Sequence, residues 1–156
     1  MGRFATLESN EILVHHVMVL LDTNVVSELM RPESSPVVLK WLSRQQAPEL
    51  YSSSVSLAEI FYGIELLAAG KRRNDLLAGA EKMFTKVLVG RVFAFEDEAA
   101  RAFARIASAR RKAGRPIAEL DAQIAAIAHV HGATLATRNT ADFEGCGIRL
   151  VNPWRD

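Results

Sequence analysis

A chain of 156 residues is long enough for one domain with its own hydrophobic core. Its hydrophobic fraction of 49% and charged fraction of 24% are those of an ordinary globular protein, and a net charge of +1 argues neither for nor against a nucleic-acid partner. A single cysteine, Cys146, excludes an internal disulfide, and no apolar stretch approaches the roughly 20 residues of a membrane span. We therefore expect a cytoplasmic protein that does not cross a membrane.

Short apolar stretches alternate with helix-like patterns from residue 17 onward, an order that is typical of successive βαβ units. The sequence predicts strands at 17–21, 50–53, 92–95, 134–137 and 148–151. It predicts helices at about 24–30, 36–44, 56–69, 74–85, 97–113 and 116–131. Right-handed crossovers then give an α/β fold, a three-layer α/β/α sandwich around a mostly parallel sheet of about five strands. Residues 1–17 are aperiodic, and we expect an N-terminal extension that limited proteolysis removes, leaving one domain over 18–156.

Asp22 directly follows the first apolar run, at the carboxyl end of a predicted central strand. Open α/β sheets bind their ligands at this edge, and Asp22, followed by the polar Thr23 and Asn24, could hold a hard cation through oxygen atoms. The alternative is structural, because aspartate is also among the best N-caps of a helix. The sequence alone leaves both roles open.

Glu59 follows the second predicted strand and stands three residues after Ser56, which is the spacing of a capping box. That role would be structural. Helical geometry also places Glu59 roughly 100° away from the apolar face of its helix. Gly63, one turn later, leaves room for a ligand or a neighbouring backbone, although a glycine costs a helix about 1 kcal/mol. Glu59 is therefore a second candidate ligand.

Asp121 lies at the margin of the apolar stripe of a helix, with alanines on its own side, and a solvated face does not explain it. Such a residue can equally be a harmless polar position. Asn139 and Asp142 follow the fourth strand and are also typical loop residues, while Arg138 could neutralise a phosphate or pair with a surface acid. The predicted buried stripe of the Asp121 helix consists of Ile117, Leu120, Ile124 and Ile127.

The carboxyl edge of a parallel sheet would bring Asp22, Glu59, Asp121 and the 139–142 loop together. Carboxylates at such close quarters repel one another unless a cation lies between them. Ligands that are all oxygen favour Mg²⁺ or Mn²⁺ over zinc. The pattern therefore predicts a metal site at this edge.

Five stretches are informative together: LLDTNVVSE at 20–28, SLAEIFYGI at 56–64, IAELDAQIAA at 117–126, ATRNTADF at 136–143 and NPW at 152–154. In this order and at these separations they resemble the PIN-domain ribonucleases, most of all the VapC/FitB-type toxins of type II toxin–antitoxin systems. The resemblance covers residues 18–154. It implies a Mg²⁺- or Mn²⁺-dependent endoribonuclease that hydrolyses RNA phosphodiester bonds. It also implies a homodimer that binds a cognate antitoxin protein.

The resemblance places the first three metal-binding and catalytic acids of the family on Asp22, Glu59 and Asp121. At the fourth catalytic position this chain has Asn139, which brings no charge, and Asp142 stands three residues further on.

Supporting roles follow from the same resemblance. Thr23 and Asn24 would orient the metal-binding side chains without contacting the ion themselves. Arg31 and Arg138 would bind the RNA backbone, and the basic segment 110–112 with Arg115 either does the same or is a solvated helix end.

Two other functions compete with the nuclease hypothesis. One is a catalytically inactive PIN-like binding module, against which the intact acidic set argues. The other is a phosphatase of the haloacid dehalogenase type, which would need a second aspartate where this chain has Asn24.

Overall fold

In a computed structural model of the chain, the described residues are 17–156, so the predicted extension before Val17 lies outside them. Five strands form one sheet that is parallel throughout, in the order β3-β2-β1-β4-β5. The strands are β1 (Val19–Leu21), β2 (Leu50–Ser53), β3 (Val92–Phe93), β4 (Thr134–Ala136) and β5 (Leu150–Val151). The predicted α/β sandwich is confirmed, and the sheet is wholly rather than mostly parallel.

The sheet is covered on both faces by six helices, so that β1 is buried along its whole length. Alternate side chains of β1 enter opposite cores, Leu20 on one face and Val19 and Leu21 on the other. The helices are α1 (Thr23–Leu29), α2 (Pro36–Ser43), α3 (Ser54–Glu65), α4 (Lys71–Lys82), α5 (Asp97–Lys112) and α6 (Glu119–His131). Helices α5 and α6 pack mainly on the Leu20 face, whereas α1, α2 and α4 pack on the other. The described residues contain no helix long and apolar enough to cross a membrane.

Three predicted helix starts are wrong. Helix α4 begins at Lys71 rather than at about residue 74. Helix α3 begins at Ser54, because Ser53 is its N-cap and accepts a hydrogen bond of 3.1 Å from the N–H of Ser56. The expected capping box of Ser56 and Glu59 is therefore not formed. Helix α6 begins at Glu119 rather than at Pro116, since the backbone at Ala118 is extended.

The predicted buried stripe of α6 is also wrong at Leu120, which is 45% exposed. Burial of this helix begins only at Ala122, so its first turn projects beyond the part that is covered by the rest of the protein. That first turn carries Asp121 at the open edge of the sheet.

Candidate active site

Asp22 stands where β1 ends and α1 begins, and its side chain is 5% exposed. Its N–H donates to the carbonyl of Ala136, which extends the ladder between β1 and β4. Its Oδ1 accepts a hydrogen bond of 2.8 Å from the N–H of Thr23, so the predicted capping role is confirmed. The cap uses only one of the two carboxylate oxygens.

The second oxygen of Asp22 is held by Thr137, a fully buried residue just after β4. The Thr137 hydroxyl donates to Oδ2 at 2.7 Å and accepts from Asn24 Nδ2 at 3.3 Å and from the Asn139 N–H at 3.1 Å. Asn24 Oδ1 in turn accepts from the N–H of Arg138 at 3.2 Å. These bonds fix the Asp22 carboxylate and tie α1 to the loop after β4.

Glu59 is oriented by a short hydroxyl chain from α1. Thr23 Oγ1 lies 3.0 Å from Glu59 Oε1 and 2.9 Å from Ser56 Oγ. A hydroxyl carries one proton, and an ionised carboxylate only accepts, so Thr23 donates to Glu59 while the buried Ser56 donates to Thr23. The expected support by Thr23 therefore reaches Glu59 through its side chain and Asp22 through its backbone.

Burial is the largest influence on the Asp22 carboxyl and raises its pKa above the ordinary value. Hydrogen bonds from Thr137 and from the Thr23 N–H lower this pKa, because they stabilise the charged form. The negative charges of Glu59 and Asp142 raise it again. Asp22 therefore interacts electrostatically with acids from two other elements.

The same two effects act on the other acids of the site. Burial raises the pKa of Glu59, the bond from Thr23 lowers it, and the charge of Asp121 raises it. Burial, then Asp22, then Asp142 raise the pKa of Asp121. We infer that the charges of these four acids converge on one region.

This region fits a hard cation in its donor set. Its donors are carboxylate oxygens, and no basic side chain of the described residues forms an ion pair with Asp22, Glu59, Asp121 or Asp142. Within residues 17–156, no three acidic, histidine or cysteine side chains meet closely enough to enclose an ion by themselves. Mg²⁺ tolerates such spacing, because it usually keeps several waters and binds only one or two carboxylates directly.

The fourth predicted position lies on the exposed loop after β4. The Asn139 N–H binds Thr137, and no hydrogen bond of its side chain is present among the described residues. Asp142 lies in a short 3-10 helix, Thr140–Phe143, and its charge acts on both Asp22 and Asp121. The charge of Asp142 therefore reaches the acidic site, whereas Asn139 brings no charge to it.

The buried Arg110 of α5 holds this loop through its backbone carbonyls. The sequence did not predict this role. The Arg110 side chain is 8% exposed, and its Nη1 donates to the carbonyls of Asp142 at 2.9 Å and Glu144 at 2.8 Å. Its Nε donates to the carbonyl of Arg115 at 2.7 Å. The prediction that the basic segment 110–112 contacts RNA is therefore wrong for Arg110, because its guanidinium donates to backbone carbonyls of the protein.

The two arginines predicted to bind RNA differ in their surroundings. Arg31 is exposed and pairs with the buried Glu28 at 3.2 Å. Arg138 is exposed, and its guanidinium lies 4.9 Å from the ring centroid of Trp154. Both side chains remain accessible to a ligand.

Thr137, Ser56 and Arg110 thus support the site in roles that the sequence did not predict. Thr137 stands inside the ATRNTADF stretch, and its place directly after a buried strand, level with Asp22, was the available signal. Ser56 was interpreted as a cap, and nothing in the sequence pairs Arg110 with a loop more than 30 residues away.

Comparison with known families matches the PIN domain to residues 19–145. The chain is 37% identical to "Toxin FitB" of Neisseria gonorrhoeae over 139 residues, which are 89% of this chain and 100% of that protein. It is 39% identical to "VapC ribonuclease Y4jK" of Sinorhizobium fredii, over 88% of this chain and 98% of that protein.

Two solved structures agree with this assignment at 37% identity. "Structure of FitAB bound to IR36 DNA fragment" matches with a TM-score of 0.82, over 89% of this chain and 97% of that one. "Crystal Structure of FitAcB from Neisseria gonorrhoeae" matches with a TM-score of 0.79, over 89% of this chain and 100% of that one. Because the family match spans most of the chain and the relatives are covered almost completely, the chain belongs to the PIN-domain family, among its VapC- and FitB-type toxins.

Proposed function

We propose that this protein is a Mg²⁺- or Mn²⁺-dependent endoribonuclease and the toxin of a toxin–antitoxin pair. One observation carries the proposal: a buried Asp22 carboxylate that accepts three hydrogen bonds interacts electrostatically with Glu59, Asp121 and Asp142, and no basic side chain of residues 17–156 forms an ion pair with it. The relatives named VapC ribonuclease and Toxin FitB support the activity and the biological role. Membership of the PIN-domain family also argues against the phosphatase alternative.

In this proposal Asp22, Glu59 and Asp121 hold the metal ion, and Asp142 completes the acidic set in place of Asn139. The electrostatic interactions of Asp142 with Asp22 and Asp121 support that choice. The bound ion would polarise the scissile phosphate and lower the pKa of an attacking water.

The protein's contribution to the reaction is orientation. Asp22 cannot swing away, because each of its oxygens already accepts a hydrogen bond and the side chain is buried. Glu59 is held through Oε1 only, so Oε2 remains available to a ligand or to a water. The Asp121 side chain accepts no hydrogen bond from the described residues and projects from the first turn of α6. Water attacks phosphorus and loses a proton, the bond from phosphorus to the ribose oxygen breaks, and that oxygen leaves as a hydroxyl after taking up a proton. The carboxylate oxygens would align the attacking water opposite the bond that breaks.

A cognate antitoxin and a second copy of the chain are the proposed protein partners. Solved structures of relatives in toxin–antitoxin complexes such as FitAB support an antitoxin partner. Tyr62 and Leu66 on α3 are strongly exposed, and apolar surface of this kind is what protein partners cover. We expect light scattering of the purified toxin to give the mass of a homodimer.

RNA cleavage by the purified protein tests the proposal. We expect cleavage with Mg²⁺ or Mn²⁺, none with EDTA, and none with Asp121→Asn. Glu119→Gln is the matched control, because Glu119 is an exposed acid on the same first turn of α6, and it should cleave like the wild type. Equal cleavage by Asp121→Asn would contradict the site assignment. A folded protein, free of antitoxin, that cleaves no RNA under any of these conditions would favour the inactive binding module.

A further inference from the structure

A cavity of about 460 Å³ opens directly beside the acidic site. Its walls come from the loop that carries Asn139 and Asp142 and from the C-terminal segment with Trp154 and Arg155. Arg138 lines it as well. Asp142, the one acid of the proposed site that lines the cavity, thus lies on one wall, and the other wall is aromatic and basic.

The two arginines of this cavity donate no side-chain hydrogen bond to a carboxylate of the described residues, although the charge of Arg138 also acts on Glu28. The guanidinium of Arg138 lies over the Trp154 ring, 4.9 Å from the centroid. The Arg155 side chain donates to the hydroxyl of Thr140, at 3.4 Å. Neither forms an ion pair with an acid of residues 17–156. Both are exposed, so they are available to an anionic ligand.

The cavity is held in shape by Asn152, a buried polar residue. Its Nδ2 donates to the carbonyl of Arg138 at 3.3 Å, and its Oδ1 accepts from the N–H of Trp154 at 2.9 Å. Its own N–H donates to Asp156 Oδ2 at 2.7 Å. One side chain therefore fixes the backbone of both walls relative to each other, which reduces the ordering that a ligand would have to impose.

We propose that this cavity binds the nucleotide next to the scissile phosphate of a single-stranded RNA, a subsite that rests on the proposed nuclease function. Trp154 and the planar guanidinium of Arg138 offer a surface on which an unpaired base stacks. Arg138 and Arg155 bind the adjoining phosphate oxygens. Paired bases in a duplex are not available for such stacking, so the cavity selects unpaired RNA at the cut.

Intrinsic fluorescence tests this assignment without any need for catalysis. The chain has two tryptophans, and Trp41 is 4% exposed in the core, so only Trp154 can respond to a ligand in the cavity. A short single-stranded RNA oligonucleotide, titrated in EDTA, should quench the wild-type signal. Trp154→Phe should remove the quenching while leaving the circular dichroism spectrum unchanged. Quenching that persists in Trp154→Phe would overturn the proposal.

Affinities for the same oligonucleotide in EDTA give a second, independent readout. Trp154→Leu and Arg138→Ala should each weaken binding about fivefold or more. Arg138→Lys should recover only part of the loss, because lysine keeps the charge but not the stacking plane. Arg105→Ala, an exposed arginine of α5, is the charge-matched control and should bind within about twofold of the wild type. A duplex of the same length should bind more weakly than the single strand.

The results separate this inference from the proposed function. Binding and quenching that depend on Trp154 and Arg138, in a protein that cuts no RNA, would support the subsite and contradict the nuclease. Metal-dependent cleavage with unchanged affinity, quenching and KM in Arg138→Ala and Trp154→Leu would support the nuclease and overturn the subsite. Equal affinity for single strand and duplex would also overturn it.

Discussion

Replacing Thr137 by valine removes one buried hydroxyl while nearly preserving the volume of the side chain. The hydroxyl donates to Asp22 at 2.7 Å, and a hydrogen bond to a charged group contributes about 1.5–3 kcal/mol. It also accepts from Asn24 and from the Asn139 N–H, at 3.3 and 3.1 Å, which lose a partner. We expect Thr137→Val to lower the free energy of unfolding by about 3 kcal/mol, which a domain of 5–15 kcal/mol survives.

Activity should fall further than stability suggests, because Oδ2 of Asp22 then keeps only the longer hydrogen bond from Asn24 Nδ2, at 3.4 Å, and is less well fixed. We expect RNA cleavage to fall by about 100-fold, the order of loss when a residue supporting a metal ligand is removed. Urea unfolding and RNA cleavage, measured on the same preparation, give the two quantities.

Two variants serve as controls for this prediction. Thr137→Ser keeps the hydroxyl and should retain most of the activity, at a stability cost of about 1 kcal/mol for the lost methyl group. Thr134→Val makes the same chemical change at the start of β4, where no hydrogen bond of the side chain is present among the described residues, and should be close to neutral. If Thr137→Val cleaves RNA like the wild type, the Thr137 hydroxyl does not position Asp22 for catalysis.

The remaining predictions concern one positioning residue and two carboxyls. Arg110→Met should cost about 3 kcal/mol in urea unfolding, because the carbonyls of Arg115, Asp142 and Glu144 lose their donor. In EDTA at pH 7, Asp121→Asn should raise the free energy of unfolding by up to about 1 kcal/mol, which a higher melting temperature would report. Because the pKa of Asp121 is raised, its protonated carboxyl stabilises the fold fully below pH 3.8, and this stability is lost as pH rises through the folded pKa. The stability that Asp121→Asn gains at pH 7 should therefore vanish at pH 3. The pKa of Glu28 is lowered, first by the Ser35 N–H at 2.7 Å, so Glu28→Gln should lose about 1 kcal/mol above pH 4.5 in chemical denaturation, and this deficit should shrink as pH falls through the lowered pKa. A Glu28→Gln deficit that grows as pH falls below 4.5, or an Asp121→Asn gain that persists at pH 3, would contradict these signs.

The central strand and Asp22 were predictable from the sequence because a strand buried on both faces needs a continuous apolar run, and the run stops where the site begins. The structure also explains why the competing interpretation of Asp22 was reasonable. One oxygen caps α1 and the other faces Thr137, so the structural and functional roles share a single carboxylate.

Other parts of the site could not be predicted from local sequence. Arg110 looks like one member of a solvated basic helix end, and only the tertiary fold shows that its guanidinium binds carbonyls about 30 residues away. Ser56 has the spacing of a cap, but Ser53 takes that role and leaves the Ser56 hydroxyl for Thr23. Leu120 fits the apolar period of α6, yet the first turn of the helix extends past the elements that would bury it. In each case contacts with residues distant in sequence determine the role or burial of the residue, and local periodicity does not predict such contacts.

Titration with Mn²⁺ followed by calorimetry tests most directly whether the acids form one cation site. We expect the wild type and the control Glu119→Gln to bind Mn²⁺ alike. Asp22→Asn keeps the size of the side chain and an acceptor for the helix cap, but removes the charge at the centre of the acidic set. We predict that Asp22→Asn shows no measurable Mn²⁺ binding. Binding of Mn²⁺ by Asp22→Asn with wild-type affinity would show that the acids do not form one cation site around Asp22.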